Sequence, residues 1–277
     1  MRVLHPNLYL GTSSWSSKDW EGVFYPPGTP PGDYLAHYAA RLRSVEVDST
    51  FYRAPSAALV RRWRDVLPAG FLLAAKVPQE ITHERKLAGC AQEFKEFVSA
   101  MDLLEDRLGP MLFQFPYYSK ASGMTQEGFL ERVRGFLPQL PAGHRFALEI
   151  RNKGWLKPAL LDLLRGRSVA LTLIDHPWMP PVDQVLDELD PVTADFSYVR
   201  WLGDRKGIEE RTKTWDTAIV DRGREMRTWV PAIRALLARR VTVFGFFNNH
   251  YAGHAPASVA LFEKTWEELP VSGPEGG

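Results

Sequence analysis

The sequence predicts an α/β protein whose parallel strands close into a single (β/α)8 barrel of the TIM type. Three observations lead to this fold class. Short β-rich runs recur at fairly even intervals, helical patterns lie between most of them, and eight such units in 277 residues match the size of that barrel. An open doubly wound sheet is the alternative, because the number of strands alone does not distinguish the two folds.

Eight strands are predicted from runs rich in β-branched and aromatic residues, several of which alternate between apolar and polar positions. The first is LYLGTS and the last is VTVFGFFN. The predicted strands span residues 8–13, 44–48, 71–77, 111–115, 145–150, 169–175, 197–202 and 241–248.

Helices are predicted between most of these strands, at residues 56–66, 91–106, 126–137, 158–165, 224–239 and 256–268. The segment 176–195 contains several prolines and acids, so the helix after strand 6 is expected to be short or missing. No repeat or flexible linker divides the chain. Residues 1–270 are therefore predicted to form one domain, and residues 271–277 a disordered tail.

The overall charge favours no particular class of partner. The formal net charge is +1, from 34 Lys and Arg against 33 Asp and Glu, so only a local patch would attract nucleic acid. The single cysteine, Cys90, excludes an internal disulfide and fits a reducing compartment. No run approaches the ~20 apolar residues of a membrane span, and the amino terminus lacks a signal-peptide core. We therefore expect a cytoplasmic protein without a membrane partner.

The ends of the predicted strands carry the residues of functional interest. In a (β/α)8 barrel the active site lies at the carboxyl ends of the strands, and a ring of ionisable groups in a narrow mouth is costly unless they are paired or used. Seven of the eight strands end in polar side chains, namely Glu46 and Asp48, Lys76, Gln114, Glu149 and Arg151, Asp175, Arg200, and Asn248.

The stretch HRFALEIRNKGW shows the pattern within one strand. Phe146, Leu148 and Ile150 are predicted to face the surrounding helices, whereas Ala147 occupies the barrel interior. Glu149 and Arg151 share the inward face and are therefore predicted to emerge at the mouth.

Several of these stretches resemble the YecE-like family, a domain of unknown function numbered seventy-two. The matching stretches are LGTSSWSSKDWEGVFYP, VEVDSTFYRAP, FLLAAKVPQEITHERKL, GPMLFQFP, FALEIRNKGW, YVRWLGD and FFNNHYAGHAP, which together extend over residues 8–268. The resemblance implies a (β/α)8 barrel, in agreement with the strand pattern, and implies no particular reaction. Ser14 stands where the family pattern usually has glycine.

Three kinds of chemistry are consistent with the strand ends. The first is acid/base catalysis, with Glu46, Asp48, Glu149 and Asp175 as the carboxylates. In this interpretation Arg151, Arg200 and Lys76 hold a phosphate or carboxylate of the substrate. Structural ion pairs between neighbouring strands are the alternative explanation for the same residues.

The second is a divalent metal site that joins the carboxylates to His83, His176, His250 or His254. The sequence contains no tight spacing of metal ligands, and the three cations would repel a metal ion, so no metal-binding residue is assigned. His83 follows strand 3 and is the strongest histidine candidate for catalysis.

The third is a set of aromatic rings in the same loops that would stack on a nucleobase or a sugar, with packing in the core as the alternative for any one ring. Trp15, Tyr52 and Trp155 are the leading candidates. The others are Trp20, Phe24, Tyr25, Phe51, Tyr117, Tyr118, Trp178 and Trp201.

We therefore predict an enzyme that hydrolyses a phosphoester of an anionic, ring-bearing substrate, either a nucleotide or single-stranded nucleic acid. Gln114 and Asn248 would orient the substrate by hydrogen bonding. A sugar isomerase or epimerase is one alternative, and a non-catalytic module that binds nucleic acid or protein is another. On the first hypothesis, Glu149→Gln abolishes turnover and changes stability by no more than about 1–2 kcal/mol.

Overall fold

The computed structural model describes residues 3–270. Its eight strands are all parallel and form one sheet in the order β1-β8-β7-β6-β5-β4-β3-β2. The first and second strands stand at the two ends of this order and also lie side by side. The sheet therefore forms a nearly closed barrel, as predicted. The strands are β1 (Leu8–Thr12), β2 (Ser44–Val47), β3 (Leu72–Lys76), β4 (Leu108–Gln114), β5 (Phe146–Glu149), β6 (Val169–Asp175), β7 (Phe196–Trp201) and β8 (Thr242–Phe247).

Between β1 and β2 a tyrosine hydroxyl helps to close the barrel. The N–H of Thr12 donates to the Tyr38 hydroxyl oxygen (2.8 Å), and that hydroxyl donates to the carbonyl oxygen of Ser44 (3.1 Å). Gly11 allows the two backbones to approach, because a Cβ at this position would lie 2.0 Å from the Ser44 carbonyl oxygen.

The helices surround the barrel and follow the predicted apolar spacing. Side-chain caps begin two of them, since Ser56 accepts from the N–H of Leu59 and Thr125 accepts from that of Gly128. The helices are α1 (Tyr34–Ala39), α2 (Ser49–Tyr52), α3 (Ala57–Val66), α4 (Ala91–Met101), α5 (Gln126–Phe136), α6 (Pro158–Arg165), α7 (Val182–Glu188), α8 (Arg205–Arg211), α9 (Gly223–Ala238), α10 (Asn249–Ala252) and α11 (Ala255–Glu268).

The helices differ from the sequence prediction in two ways. The helix predicted over 91–106 ends at Met101 and continues as a 3-10 turn, in which Glu105 has a left-handed backbone (φ 54°). Four short helices, α1, α2, α8 and α10, were not predicted, because segments of four to seven residues show too little periodicity. The helix after β6 is short, as expected, since α7 begins only after Pro180 and Pro181.

The alternation of side chains separates two apolar clusters. Phe146 and Leu148 lie in the outer cluster between strands and helices, whereas Ala147 lies inside the barrel, as predicted. The inner cluster consists of Ala74, Leu112, Ala147, Ala170, Phe196, Tyr198, Phe244 and Phe246. The residues two positions beyond several of these inner residues therefore point into the mouth of the barrel.

The predicted tail, residues 271–277, lies outside the described residues. Within residues 3–270, no helix is long and apolar enough to cross a membrane.

Candidate functional site

Four strands each direct an ionisable side chain into the mouth of the barrel. Lys76, Glu149 and Arg200 stand two positions after the inner residues Ala74, Ala147 and Tyr198, so the period of two places them on the inward face. Glu46 reaches the same region from β2 and joins Arg200. Glu46 and Glu149 are fully buried, and Arg200 is almost so.

Arg200 connects the three carboxylates of the mouth. Its Nε and Nη2 donate to Oε1 of Glu46 at 3.1 and 2.7 Å, and its Nη1 donates to Oε2 of Glu149 at 2.9 Å. Nη2 also lies 3.3 Å from Oδ1 of Asp48. Each of the three guanidinium nitrogens of Arg200, which the sequence predicted as a substrate clamp, therefore already bonds a carboxylate of the protein.

Two further residues complete the buried part of this cluster. The Nε of Arg151 donates to Oε1 of Glu149 at 2.6 Å, so Glu149 is held between two guanidinium groups. The Tyr198 hydroxyl donates to Oε2 of Glu46 at 2.6 Å. Sequence reasoning missed Tyr198, although its position two residues before Arg200 placed it on the same inward face.

The two guanidinium groups set the charge state of Glu149. Burial by itself raises the pKa of a carboxyl group, but the charges of Arg151 and Arg200 outweigh that effect and lower the pKa of Glu149 to about 2. Glu149 is therefore an anion at neutral pH. An anion that is fully buried between two cations has little access to a substrate.

Asp48 is the carboxylate that meets the solvent. Its side chain is 29% exposed, whereas those of Glu46 and Glu149 are fully buried. Burial of the carboxyl group and the negative charge of Glu46 raise the pKa of Asp48 to about 6. Asp48 therefore changes its charge near neutral pH, as general acid/base catalysis requires.

Lys76 is the cation beside Asp48. Its Nζ lies 3.8 Å from Oδ1 of Asp48 and 4.0 Å from the centre of the Phe51 ring. Burial lowers the pKa of Lys76, which makes its ammonium group a stronger acid than a lysine in water. Asp48 and Lys76 therefore form a pair at the entrance in which the pKa of the carboxyl group is raised and that of the ammonium group is lowered.

His83 lies near this pair, as predicted for the loop after β3. Its ring contacts Phe51 edge to face at 4.8 Å, and its Nδ1 lies 2.9 Å from the Thr82 hydroxyl. Burial and the positive charges of Lys76 and Arg151 lower the pKa of His83 to about 4. The imidazole is thus neutral at physiological pH.

Asp175 lies on the opposite face of its strand from the charged cluster. Its Oδ2 accepts from the Trp229 indole N–H at 2.7 Å and from the Tyr251 hydroxyl at 3.0 Å. The prediction that it faces the mouth is wrong, because Leu171 and Leu173, which share its parity, lie in the outer cluster. It lines a separate cleft of about 480 Å³ between the loop after β6 and helix α9.

Asn248 and Gln114 have hydrogen bonds within the protein. The Asn248 side-chain oxygen accepts from the N–H of His250 and caps α10. The Gln114 amide nitrogen donates to the carbonyl oxygen of Phe115, its neighbour in the chain. Gln114 is buried and follows Leu112 of the inner cluster, whereas Asn248 acts at a helix end.

Four of the eleven predicted aromatic candidates, Trp20, Tyr25, Tyr118 and Trp201, are buried in the core. Trp15 packs edge to face on Trp63 at 5.6 Å, and Trp155 stacks on Tyr118 at the same centroid distance, so both are half-buried against the core. Tyr52 is 73% exposed. The aromatic residues exposed beyond it are Tyr117 and Trp178, which lie in the loops after β4 and β6.

The predicted metal alternative meets a physical obstacle in the mouth. The Arg200 guanidinium occupies the place between Glu46, Asp48 and Glu149 that a divalent cation would need. In the part of the chain that the structure describes, no three His, Cys, Asp or Glu residues form a group that could hold a metal ion. His250 and His254 instead bond Glu209 and the Trp215 carbonyl, respectively.

An eight-stranded parallel barrel with a charged cluster at the carboxyl ends of its strands defines a TIM-barrel protein. The chain belongs to the family described as "Protein of unknown function DUF72", whose model matches residues 9–275. This agrees with the resemblance seen in the sequence. The protein is also similar to the UPF0759 protein YecE of Escherichia coli K12, at 28% identity over 98% of this chain and 95% of that protein.

Solved structures agree with the fold. A DUF72 family protein from Thermotoga maritima superposes with a TM-score of 0.71 at 27% identity, covering 94% of this chain and 99% of that one. A glycoside hydrolase family 5 enzyme from Prevotella bryantii reaches a TM-score of 0.50 at 12% identity, covering 95% and 97%. At that identity the second similarity concerns the barrel and not the chemistry.

Proposed function

We propose that the protein hydrolyses a phosphoester of an anionic, ring-bearing substrate at the mouth of the barrel. The observation that carries this proposal is the pair formed by Asp48 and Lys76, 3.8 Å apart at the entrance. Below this pair, Arg200 forms buried ion pairs with Glu46 and Glu149. The entrance is therefore the part of the cluster that is open to chemistry.

Asp48 and Lys76 supply the proton transfers that hydrolysis requires. Asp48 takes a proton from the attacking water, and the new oxygen–phosphorus bond forms as the bond to the leaving oxygen breaks. Lys76 gives its proton to that leaving oxygen, since burial has made its ammonium group more acidic. A proton then passes from Asp48 to Lys76 and restores the starting state.

Arg151 is the residue that would hold the phosphoryl group. Its Nε bonds Glu149 and its side chain is partly exposed, so in this proposal its terminal nitrogens are the groups that meet the substrate. A guanidinium can donate two parallel hydrogen bonds to phosphate oxygens. Its bond to Glu149 keeps it oriented before the substrate arrives.

Arg200, Glu46 and Tyr198 act as supports in this proposal. The buried bonds from Arg200 to Glu46 and Glu149 fix the strand ends that carry Asp48 and Arg151. Preorganised charges contribute to catalysis because they do not reorganise during the reaction. The role of these residues is therefore positioning.

The test is turnover of bis(p-nitrophenyl) phosphate by the full chain. We expect kcat/KM to rise with pH through a midpoint of about 6, because free Asp48 must be ionised to act as a base. Asp48→Asn should remove this pH limb and lower kcat by about 100-fold or more. Asp183→Asn, an exposed carboxylate on α7, serves as the matched control and should behave as the parent does.

Two results would contradict the proposal. If the parent does not turn over the ester, the proposed hydrolysis is contradicted. If Asp48→Asn turns it over as fast as the parent, Asp48 is excluded as the base. A parallel screen of phosphorylated sugars distinguishes the isomerase alternative, which moves a proton at carbon and releases no p-nitrophenol.

A further inference from the structure

Two aromatic side chains remain exposed together beside the mouth of the barrel. Tyr117 follows β4 and is 56% exposed, and Trp178 follows β6 and is 62% exposed. Their ring centroids lie 6.0 Å apart at an interplanar angle of 67°, so the two rings form an open corner. Exposed apolar surface that is concentrated in this way commonly marks a binding site.

Trp178 is held in a defined position. Its backbone N–H donates to Nδ1 of His176 at 3.2 Å, and the His176 ring meets the indole edge to face at 5.1 Å. Pro177, Pro180 and Pro181 restrict the backbone on both sides. The exposed indole therefore loses little conformational entropy when a ligand binds.

Tyr117 is positioned through its neighbour. The N–H of Tyr118 donates to the Asn152 side-chain oxygen, and the Asn152 amide nitrogen donates to the Tyr118 carbonyl oxygen, both at 2.9 Å. Trp155 stacks on the Tyr118 ring at 5.6 Å. These contacts fasten the loop after β4 to the loop after β5, which carries Arg151.

The charge around the corner is mainly positive. The three loops that form it, residues 115–123, 150–157 and 176–181, contain no acidic residue and four basic ones, Lys120, Arg151, Lys153 and Lys157. Trp178 and Lys153 line a common cleft of about 480 Å³, and Glu188 of α7 contributes the acidic group at its boundary. Basic side chains interleaved with exposed rings suit a polyanion that carries planar rings.

The corner lies at the same end of the barrel as the mouth, because its loops follow β4, β5 and β6. His176, which supports Trp178, directly follows Asp175, the last residue of β6. Asn152, which fastens the Tyr117 loop, is the next residue after Arg151. A polymeric ligand whose phosphate is held by Arg151 can therefore extend over the Tyr117–Trp178 corner.

We propose that Tyr117 and Trp178 form a stacking subsite for a nucleobase of single-stranded nucleic acid, beyond the phosphoester bound in the mouth. This inference rests on the proposed phosphoester hydrolysis and specifies its substrate as single-stranded nucleic acid. A neutral oligosaccharide would also stack on an indole, but it would gain nothing from the four basic residues.

The experiment measures binding and turnover separately in the full chain. Fluorescence anisotropy of a labelled eight-residue oligothymidylate reports binding, in an Asp48→Asn background that prevents cleavage. We expect Trp178→Ala to weaken binding by about tenfold or more, whereas Trp178→Phe retains most of it because a ring remains. Lys153→Gln should reduce the salt dependence of binding, and Lys264→Gln, on the outer helix α11, should not.

The outcomes distinguish this inference from the proposed function. Turnover of bis(p-nitrophenyl) phosphate by the parent tests the proposed hydrolysis, whereas oligothymidylate binding by the Trp178 variants tests the subsite. Parent-like oligothymidylate binding by Trp178→Ala, or tighter binding of a neutral xylo-oligosaccharide, overturns the subsite even if the small ester is cleaved. If oligothymidylate binding depends on Trp178 but the parent cleaves no phosphoester, the subsite is supported and the proposed hydrolysis is rejected.

Discussion

Glu149 is the residue whose interpretation the structure changes most. Its position at the end of a strand predicted a catalytic carboxylate that could be neutralised with little loss of stability. In the structure it is fully buried and bonds Arg151 and Arg200. Removal of one partner from a buried ion pair leaves the other charges uncompensated, which is strongly destabilising.

We therefore expect Glu149→Gln to lower the free energy of unfolding by about 3–5 kcal/mol, because two guanidinium groups lose their anion. This replaces the smaller loss expected from the sequence. Urea denaturation measures the change, and Glu188→Gln on α7 is the control, with an expected change within about 0.5 kcal/mol. A stable but inactive Glu149→Gln protein would show instead that Glu149 takes part in chemistry.

At the scale of the element, the seam between β1 and β2 differs from the other junctions of the barrel. Each of the remaining neighbouring strands pairs through a parallel ladder, whereas the Tyr38 hydroxyl bridges Thr12 and Ser44 at this seam. Gly11 lies directly against Ser44. β1 and β2 can therefore lie this close together only because Gly11 has no side chain.

We expect Gly11→Ala to destabilise the protein by at least about 2 kcal/mol, because its Cβ would overlap a backbone oxygen that cannot move alone. Gly135→Ala is the matched control. Gly135 lies in helix α5, and nothing lies within 4 Å of the Cβ position, so alanine should raise stability by about 0.5–1 kcal/mol. Thermal unfolding of both variants tests the difference, and equal melting temperatures would argue against a tight seam.

The loops after the strands form a second kind of element, and they determine which aromatic residues a ligand can reach. Trp15 and Trp155 fill space between strands and helices, whereas Trp178 is supported from behind by His176 and left open in front. Each of the three tryptophans lies a few residues after a predicted strand. Their neighbours in the folded chain distinguish packing from exposure.

At the scale of the whole molecule, two carboxyl groups of the mouth give opposite pH dependences of stability. The pKa of Glu149 is lowered from 4.5 to about 2, so its contribution is present above pH 4.5 and is lost as the pH falls towards 2. The pKa of Asp48 is raised from 3.8 to about 6. The native state therefore loses stability through Asp48 as the pH rises from 3.8 to 6.

We expect Asp48→Asn to gain stability relative to the parent between pH 4 and pH 6, and to keep a constant difference above pH 7, because asparagine resembles the neutral carboxyl group. Below pH 4.5 both proteins should lose about 3 kcal/mol as Glu149 becomes protonated. Urea unfolding at a series of pH values measures both effects. A difference between the two proteins that does not vary with pH would mean that Asp48 does not titrate in this range.

The sequence predicted the barrel and the convergence of Glu46, Lys76, Glu149 and Arg200, because the period of two along each strand reports which side chains point inward. Asp175 shows the limit of this reasoning. Its strand is apolar on both faces, so alternation could not reveal that its last residue points outward. Tyr198 was overlooked for the opposite reason, since an aromatic residue inside a strand is usually core.

The amino-acid sequence by itself determined the fold class, the eight strands and the charged composition of their carboxyl ends, because periodicity and spacing are local properties of the chain. The tertiary structure alone decided how those charges pair. It placed Arg200 between Glu46 and Glu149, and it left Asp48, Lys76 and Arg151 at the entrance. Pairing depends on distances across the barrel between residues far apart in the chain, and a linear pattern contains no information about those distances.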